Sequence, residues 1–318
     1  MFFKDFVPET LDDFVINRDI ADYIQRNKGL VNTIIYGANG VGKFTLARMM
    51  VKNSLTFGKI NTKPGVSNDN NINIGNFHYE LFVSQYNYKD KNSFVKTIDE
   101  FTDSVNVSTG CNNIIIIKNA DLLSRDNILT IKKYTERSDK FVTFILTMKS
   151  ISKYRSNLNG FFMVRVPTAS REVISDFISS KINTDYDYED EMLKIINNNK
   201  CNLKSIFIDL EILLLNQGIV KIKNETNKFV KKIVNAIFNF NYVDVREYIY
   251  ELSTKNIEKG DILKMISNKI ISCELKDEIR FKIISLAGNY SVRMADCNKE
   301  IIQLEAFCFE CMAVFVIK

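Results

Sequence analysis

One short segment, Gly37–Lys43, constrains the fold of this chain more than any other. It follows an apolar run, Thr33–Tyr36, and precedes an amphipathic stretch, Thr45–Val51. A strand, a glycine-rich turn and a helix in that order direct backbone N–H groups and a helix N-terminus at a phosphate. The spacing G-x-x-x-x-G-K is that of a phosphate-binding P-loop. We therefore predict that a nucleotide phosphate is bound by Gly37, Asn39, Gly40, Val41, Gly42, Lys43, Phe44 and Thr45.

The residues that would support hydrolysis are missing. The Ser or Thr that closes such a loop and holds Mg²⁺ is replaced by Phe44, and Thr45 lies about 100° further around the helix. The run Ile114–Ile117 predicts a buried strand. It ends in Lys118 and Asn119, where carboxylates for the metal and the attacking water are required. We predict a site that binds ATP or ADP, has no metal site and does not catalyse hydrolysis.

Two interpretations of Lys118 remain open. A lysine at a strand end commonly extends its ammonium into solvent, and this is the more frequent arrangement. In the alternative, the ammonium takes the position of Mg²⁺ and offsets the phosphate charge, so that ATP or ADP binds without the metal.

Composition excludes several other classes of protein. The 318 residues allow two or three domains, and 46% hydrophobic content fits a globular chain. No apolar run reaches the length of a bilayer span and the start lacks a signal-peptide pattern, so we expect an intracellular, soluble protein with no membrane partner. The net charge of +5 permits nucleic acid without requiring it. A single histidine, His78, and one C-x-x-C pair, Cys308 and Cys311, predict no metal cluster.

The pattern of the chain changes near Pro167. Before it, apolar runs alternate with helical patterns, which predicts a parallel sheet covered on both faces. The polar segment Asn61–Asn76 predicts an exposed loop. After Pro167 nearly every segment has a helical pattern, and Lys221–Asn224 is typical of a linker. We predict an α/β P-loop domain at 1–167, a three-helix unit at 168–222 and an all-α domain at 223–318.

Several segments resemble the small subunits of replication factor C, the eukaryotic and archaeal sliding-clamp loader. Tyr36–Lys43 matches their Y-G-P-N-G-x-G-K loop, and Phe6–Phe14 is similar to the Y-R-P-x-T-L segment that covers the adenine. Ala120–Ser124 followed by Ile131–Glu136 resembles A-D/N-x-L-T followed by L-R-R-x-M-E. Asn202–Lys204 stands where the lid carries its N/D-L/M-R sensor. The resemblance implies an AAA+ domain, a three-helix lid and a helical collar at the boundaries given above.

Within that family the chain is most similar to the delta-prime-like end subunit, whose own ATPase site is degenerate. The segment Gln303–Phe307 resembles its C-terminal H-L-E-x-F segment. The likeness implies a non-catalytic subunit of the clamp loader, which loads the sliding clamp onto primer–template DNA in ATP-driven replication and repair. The implied partners are the other loader subunits (through the collar), the sliding clamp and primer–template DNA. The implied location is the nucleus, or a viral replication site if a virus encodes the chain.

The resemblance adds three residues to the nucleotide site. Val7 and Pro8 stand in the segment that covers the adenine, and Lys204 is an altered lid sensor that would reach a phosphate. Exposed lysines at helix starts are common, so Lys204 as a solvated side chain is the alternative.

The resemblance also implies DNA contacts. Lys132 and Lys133 lie on the helix that faces the central channel in the family, and Lys96 on the preceding helix would join them. Such contacts reach phosphates and do not depend on base sequence. A solvated helix face is the alternative explanation.

The chain departs from the family at the arginine finger. Leu158-Asn159-Gly160 occupies the place of the Ser-Arg-Cys segment, and the nearest arginines are Arg155 and Arg165. Lys149 stands at the position of the sensor-1 asparagine. A finger contributes about 10³–10⁵ in rate, so we expect the adjoining subunit to hydrolyse slowly or to recruit another cation.

Three other functions remain open on sequence grounds. One is an atypical active P-loop ATPase that uses a residue such as Asp121, although the missing general base alone is worth about 10²–10⁴. Another is a subunit of a checkpoint-type or cohesion-type alternative clamp loader. The third is an adaptor that no longer binds nucleotide.

Overall fold

A computed structural model of the chain describes residues 8, 10–11, 13–26, 30–54, 62–67, 70–75, 78–83, 91–102, 113–137, 142–152, 154–181, 189–199, 201–215, 225–255, 257, 259–297 and 299–316. The chain divides into two compact units, residues 1–220 and 221–318.

Within the described residues, the first unit is built on a seven-stranded sheet of order β2-β3-β4-β5-β6-β1-β7. Strands β4, β5, β6, β1 and β7 are parallel, and β2 and β3 add an antiparallel hairpin at one edge. The strands are β1 (Thr33–Tyr36), β2 (Thr62–Ser67), β3 (Asn70–Gly75), β4 (His78–Phe82), β5 (Asn113–Lys118), β6 (Val142–Met148) and β7 (Phe162–Arg165).

The apolar runs of the central strands face two separate cores. Successive side chains of a strand point to opposite faces of the sheet. Ile34, Ile115 and Phe144 accordingly lie in one buried cluster, and Ile35 and Ile116 in the other. A sheet buried on both faces was predicted from these uninterrupted apolar runs, and the structure confirms it.

The hairpin β2–β3 shows that the prediction of an exposed loop over Asn61–Asn76 was wrong. Strand β3 pairs with β4, with Ile72 opposite Leu81, and Ile72 is buried. Strand β2 is at the edge of the sheet, where Pro64 is tolerated because one side of the strand needs no partner. Backbone hydrogen bonds hold this hairpin in the sheet. Because its side chains are mostly polar, the sequence lacks the apolar pattern that predicts a strand.

Seven helices of the first unit lie within the described residues. They are α1 (Arg18–Arg26), α2 (Lys43–Ser54), α3 (Lys91–Thr102), α4 (Arg125–Glu136), α5 (Arg171–Lys181), α6 (Glu189–Asn198) and α7 (Leu203–Leu215). Helices α5, α6 and α7 share a core that includes Ile174, Ile195 and Leu210. They correspond to the predicted three-helix lid, and its boundaries at 167–168 and 222–223 stay a prediction.

The second unit is helical throughout its described residues. Its helices are α8 (Glu225–Phe238), α9 (Tyr242–Ser253), α10 (Lys259–Ile271), α11 (Asp277–Asp296) and α12 (Glu300–Val316). Leu304, Phe307 and Cys308 of α12 are fully buried against the other helices, while Ile302 and Phe309 are exposed. None of the helices in the described ranges of either unit is long and apolar enough to cross a bilayer.

Candidate nucleotide-binding site

The loop between β1 and α2 depends on two glycines. Gly40 and Gly42 have φ values of 77° and 90°, in the left-handed region that favours glycine. A Cβ on Gly40 would lie 1.7 Å from Oδ1 of Asn202, and one on Gly42 would lie 3.3 Å from the ring of Phe14. The lid and the N-terminal segment therefore pack directly on the loop, which brings three distant parts of the sequence together.

Lys43, the first residue of α2, folds back on the loop. Its Nζ donates hydrogen bonds to the carbonyl oxygens of Gly37 at 2.8 Å and Ala38 at 2.6 Å. Burial lowers the pKa of Lys43, the charge of Asp121 opposes that effect and the charge of Lys149 adds to it. The ammonium is thus held beside the backbone N–H groups that a phosphate would contact.

The loop borders a cavity of about 550 Å³, a volume that small-molecule and cofactor sites typically have. Its wall combines the loop with the N-terminal segment Asp13–Ile16, the end of β5, and helices α5 and α7 of the lid. The loop, the N-terminal segment and the lid thus border one common cavity beside the P-loop.

Most of the residues predicted for the nucleotide site line this cavity. Residues 39–45 of the loop do so, together with Pro8 and Lys204. Gly37 is not part of the wall and contributes its carbonyl oxygen to Lys43 instead. Val7 lies outside the described residues. Their role as nucleotide ligands stays a prediction.

Three aromatic residues in the cavity wall were missed from the sequence: Phe14, Phe177 and Phe207. The rings of Phe177 and Phe207 are 6.2 Å apart and tilted. Both belong to amphipathic lid helices, where an aromatic residue is indistinguishable by pattern from ordinary core. Phe14 could have been found, because it ends the segment that resembles the family's adenine cover.

Mg²⁺ does not fit the residues at the metal position. A P-loop metal needs a hydroxyl from the loop and a carboxylate from the neighbouring strand. Phe44 occupies the loop position where the hydroxyl is needed. Lys118 and Asn119 occupy the strand-end positions where the carboxylate is needed, and all three residues line the cavity. Among the residues that the structure describes, there is also no group of three His, Cys, Asp or Glu side chains that could hold a metal.

Lys118 is only partly exposed, and its ammonium packs against two aromatic rings at the cavity, so the choice between its two interpretations stays a prediction. Its Nζ lies 4.8 Å from the ring centroid of Phe44 and 5.2 Å from that of Phe82. Burial lowers the pKa of Lys118, the charges of Lys204 and Arg48 lower it further, and the charge of Glu80 partly opposes them. The ammonium is therefore half-buried in the wall of the cavity.

A buried ionic cluster beside Phe44 was also missed. Arg48 donates from Nε and Nη2 to the two carboxylate oxygens of Glu80 at 2.5 and 2.8 Å. Asn73 donates to Glu80 at 3.0 Å, and Nε2 of His78 is 3.2 Å from the same carboxylate. Burial alone would raise the pKa of Glu80, but the hydrogen bonds from its three partners outweigh it and lower the pKa from 4.5 to about 2.

This cluster reaches the loop through Arg48. Its guanidinium carbon lies 4.6 Å from the ring centroid of Phe44, one helical turn earlier. A glutamate in the apolar pattern of β4 was the available sequence signal, because a buried carboxylate requires a partner.

Asp121, the residue considered for an atypical ATPase, does not line the cavity. Its Oδ1 accepts a hydrogen bond from the backbone N–H of Lys149 at 3.3 Å. The carboxylate thus lies at the end of β6, close enough to Lys43 for its charge to act on that ammonium, and the alternative of an atypical ATPase stays a prediction.

The segment at the place of the arginine finger forms a turn before β7. Leu158 is fully buried in the sheet core, and Gly160 has a φ of 93°. Arg155 and Arg165 are exposed on the surface of the first unit. No arginine occupies the finger position itself.

The structure brings two of the three predicted DNA-contacting lysines into one groove. Lys132 and Lys133 line a groove of about 670 Å³ on α4, together with Arg137. Acidic side chains also line it, and Lys132 forms an ion pair with Glu136 at 3.6 Å. Lys96 is exposed on α3 and is not part of the groove wall.

Comparison with known proteins finds similarity to replication factor C subunits along nearly the whole chain. Residues 220–317 match the family described as replication factor C subunit 3, C-terminal domain. The chain is 23% identical over 340 residues to replication factor C subunit 5 of Schizosaccharomyces pombe, covering 97% of this chain and 94% of that protein. It is 24% identical over 339 residues to a probable replication factor C subunit 3 of Dictyostelium discoideum, covering 97% and 96%.

Two solved structures are also similar over most of the chain. A DNA polymerase III gamma subunit-related protein from Thermotoga maritima has a TM-score of 0.47 at 13% identity, covering 92% of this chain and 99% of that one. A DNA clamp loader delta protein from Bacillus subtilis has a TM-score of 0.32 at 14% identity, covering 93% and 99%.

The parallel strands lie in the order β4-β5-β6-β1-β7, the P-loop follows β1, and helices of the lid border the cavity. These features define an AAA+ P-loop domain, and a second unit that is helical in its described residues follows it in the chain. The predicted fold class is thereby confirmed. The chain is similar to replication factor C subunits over 97% of its length, and residues 220–317 match the model of the replication factor C subunit 3 C-terminal domain.

Proposed function

We propose that this protein is a non-catalytic subunit of a replication factor C clamp loader. The observation that carries the proposal is the likeness to replication factor C subunits over 97% of the chain, together with the match of residues 220–317 to the family's C-terminal domain. Its task is structural: it completes the loader and presents surfaces to the sliding clamp and to primer–template DNA. The ATP turnover that drives loading then belongs to neighbouring subunits.

The assignment as non-catalytic rests on the residues at the metal position. Phe44 and Lys118 stand where hydrolysis requires a hydroxyl and a carboxylate, and Asp121 is engaged by the backbone of Lys149. The cavity is retained, so the proposal includes ATP or ADP as a bound ligand held by the loop and Lys43. A bound nucleotide would link the loop to the lid through their common cavity wall, and so set the position of the lid.

The proposed partners are the other loader subunits, reached through the helical second unit, the sliding clamp and primer–template DNA. The proposed location is the nucleus, since both named relatives come from eukaryotes. The alternative of a viral replication site has no support from these relatives.

Replacing Lys132 and Lys133 by alanine is expected to weaken binding of primer–template DNA by the assembled loader, equally for different base sequences. If each lysine contacts one phosphate, the slope of log K against log salt should fall by about 2. Fluorescence anisotropy of a labelled primer–template across a salt series measures it. The matched control is Lys194→Ala, a substitution of a largely exposed lysine on the lid helix α6. An unchanged slope in the double variant would contradict a role for this groove in DNA binding.

The proposed function is tested by co-expression with four other loader subunits and native mass measurement of what co-purifies with this chain. A five-subunit complex is the expected result. When this chain is omitted, the remaining subunits should lose clamp loading but keep ATP turnover. A monomer recovered beside soluble, unbound partners would refute the proposal. ATP turnover by this chain alone, abolished by Lys43→Ala, would refute the non-catalytic part of it.

A further inference from the structure

Two cations converge on one aromatic ring in the cavity wall. The guanidinium carbon of Arg48 and the ammonium of Lys118 lie 4.6 and 4.8 Å from the ring centroid of Phe44. Both distances are in the range of a favourable cation–π contact. The Phe82 ring, 5.9 Å from Phe44, contributes a second face toward the same ammonium. The Phe44 ring therefore stabilises a positive charge at the position where P-loop proteins hold a metal ion.

The ammonium of Lys118 is positioned by the sheet as well as by the rings. Lys118 is opposite Phe82 in the register of the parallel pair β4–β5, so the two side chains lie on the same face of the sheet. The nearby carboxylate of Glu80 is already engaged by Arg48, Asn73 and His78. The charge of Glu80 still attracts Lys118 and raises its pKa, but burial and the charges of Lys204 and Arg48 outweigh this effect, so the pKa of Lys118 is lowered overall.

The charges that line the cavity favour a polyanion. Lys43, Lys118 and Lys204 line it, and the acidic residue in its wall is Asp13. The carboxylate of Asp13 accepts hydrogen bonds from the backbone N–H and the hydroxyl of Thr10, at 2.9 and 2.7 Å, so it is partly satisfied locally. Mutual repulsion contributes to the lowered pKa of Lys118, with Lys204 as the larger of the two repelling charges. An anion bound between these ammonium groups relieves that repulsion.

We propose that this cavity binds a nucleotide polyphosphate without a divalent metal, and that the ammonium of Lys118, seated on Phe44, supplies the counter-charge that Mg²⁺ supplies in other P-loop proteins. The inference rests on the nucleotide ligand included in the proposed function. It goes further by naming the form of the ligand, which is metal-free ADP or ATP, and by naming Lys118 as the residue that offsets the phosphate charge in the absence of Mg²⁺. Arg48 is a positioning residue here: held by Glu80, it keeps the Phe44 ring in place.

The test is the affinity of the full-length chain for N-methylanthraniloyl-ADP and the corresponding ATP analogue, measured in EDTA and in excess Mg²⁺. For the natural sequence we expect affinities that agree within about twofold in the two conditions. Lys118→Gln should weaken binding in EDTA by roughly ten- to hundredfold, the effect of losing one charge-assisted hydrogen bond. The matched control is Lys194→Gln, the same chemical change on a side chain that is 71% exposed and outside the cavity.

A second variant keeps the test independent of folding effects in the first. Phe44→Ser combined with Lys118→Asp restores a hydroxyl and a carboxylate at the two metal-ligand positions. We expect this double variant to bind the analogues weakly in EDTA and to regain affinity when Mg²⁺ is added. Circular dichroism of each variant verifies that it is folded before affinities are compared.

Three outcomes would overturn the inference. The natural chain could lose binding steeply in EDTA, Lys118→Gln could leave binding in EDTA unchanged, or the folded natural chain could bind neither analogue in either condition. Either of the first two outcomes combined with normal assembly into a loader would refute the inference alone. The third outcome would also refute the nucleotide ligand included in the proposed function, while normal assembly would leave the role as a loader subunit standing. Metal-free binding by a chain that does not assemble would refute the proposed function alone.

Discussion

Replacing Glu80 by glutamine should lower the free energy of unfolding of the first unit by about 3 kcal/mol at pH 7. Breaking a buried ion pair typically costs about 3–5 kcal/mol because the remaining charge is left without compensation. Glu80 is fully buried, but Arg48 is 37% exposed and keeps some contact with water, which places the effect at the lower end. Urea unfolding followed by circular dichroism measures the loss. Amide hydrogen exchange locates it, through faster exchange in β4 and β5.

The effect of this substitution should depend on pH with a defined sign. The folded state holds the pKa of Glu80 at about 2, below its ordinary 4.5. The carboxylate therefore contributes stability that is fully present above about pH 5 and disappears as the pH falls through 4.5 toward 2, and the shift corresponds to about 3 kcal/mol. The difference between the natural chain and Glu80→Gln should shrink over this interval.

The control for this experiment is Glu136→Gln on α4. Glu136 is 63% exposed and pairs with Lys132 at 3.6 Å, so the same chemical change should alter stability by less than about 1 kcal/mol. A loss from Glu80→Gln no larger than that of the control would mean that the ionic cluster does not stabilise the sheet. A pH-independent loss would mean that the charge of Glu80 is not its source.

Replacing Phe307 by alanine should destabilise the second unit by about 3–5 kcal/mol, the usual cost of removing a buried aromatic side chain and leaving a cavity. Phe307 is fully buried in the centre of α12, and its ring packs edge-on against Tyr290 with centroids 5.9 Å apart. Hydrogen exchange should show the loss as faster exchange in α11 and α12. The urea concentration at the midpoint of unfolding of the second unit should decrease.

Phe309→Ala on the same helix is the matched control for Phe307→Ala. Phe309 is 37% exposed, so its removal should cost clearly less in the isolated chain. The Phe307 variant is also expected to lose assembly with the other loader subunits while it still binds nucleotide through the first unit. Equal losses of stability in the two variants would contradict the position of Phe307 at the centre of this core.

The P-loop and the sheet could be predicted because their signals are local and contiguous. A strand, Gly37–Lys43 and a helix are neighbours in sequence as well as in space, and each uninterrupted apolar run marks one buried strand. The helices of the second unit were recognised for the same reason, through their 3.6-residue apolar period. The apolar pattern predicts a helix over Lys276–Ala287, but α11 continues to Asp296, because Gly288 interrupts the pattern and not the helix.

The hairpin β2–β3 could not be predicted from side-chain pattern. Its residues are mostly polar, and its order comes from backbone hydrogen bonds to β4, a strand that forms only when the sheet does. A pattern of apolar and polar side chains does not report backbone pairing at the edge of a sheet.

The sequence by itself determined the position of the P-loop motif and predicted that the loop lacks Mg²⁺ ligands. Both can be read from neighbouring residues, because the requirement for a hydroxyl and a carboxylate applies to particular positions in the chain. The direction of Lys118 was decided only by tertiary structure. Its ammonium turns into the cavity because α2 places Phe44, and β4 places Phe82, beside the end of β5. These contacts join residues far apart in sequence, and their energies exist only once the sheet and the helix have packed together.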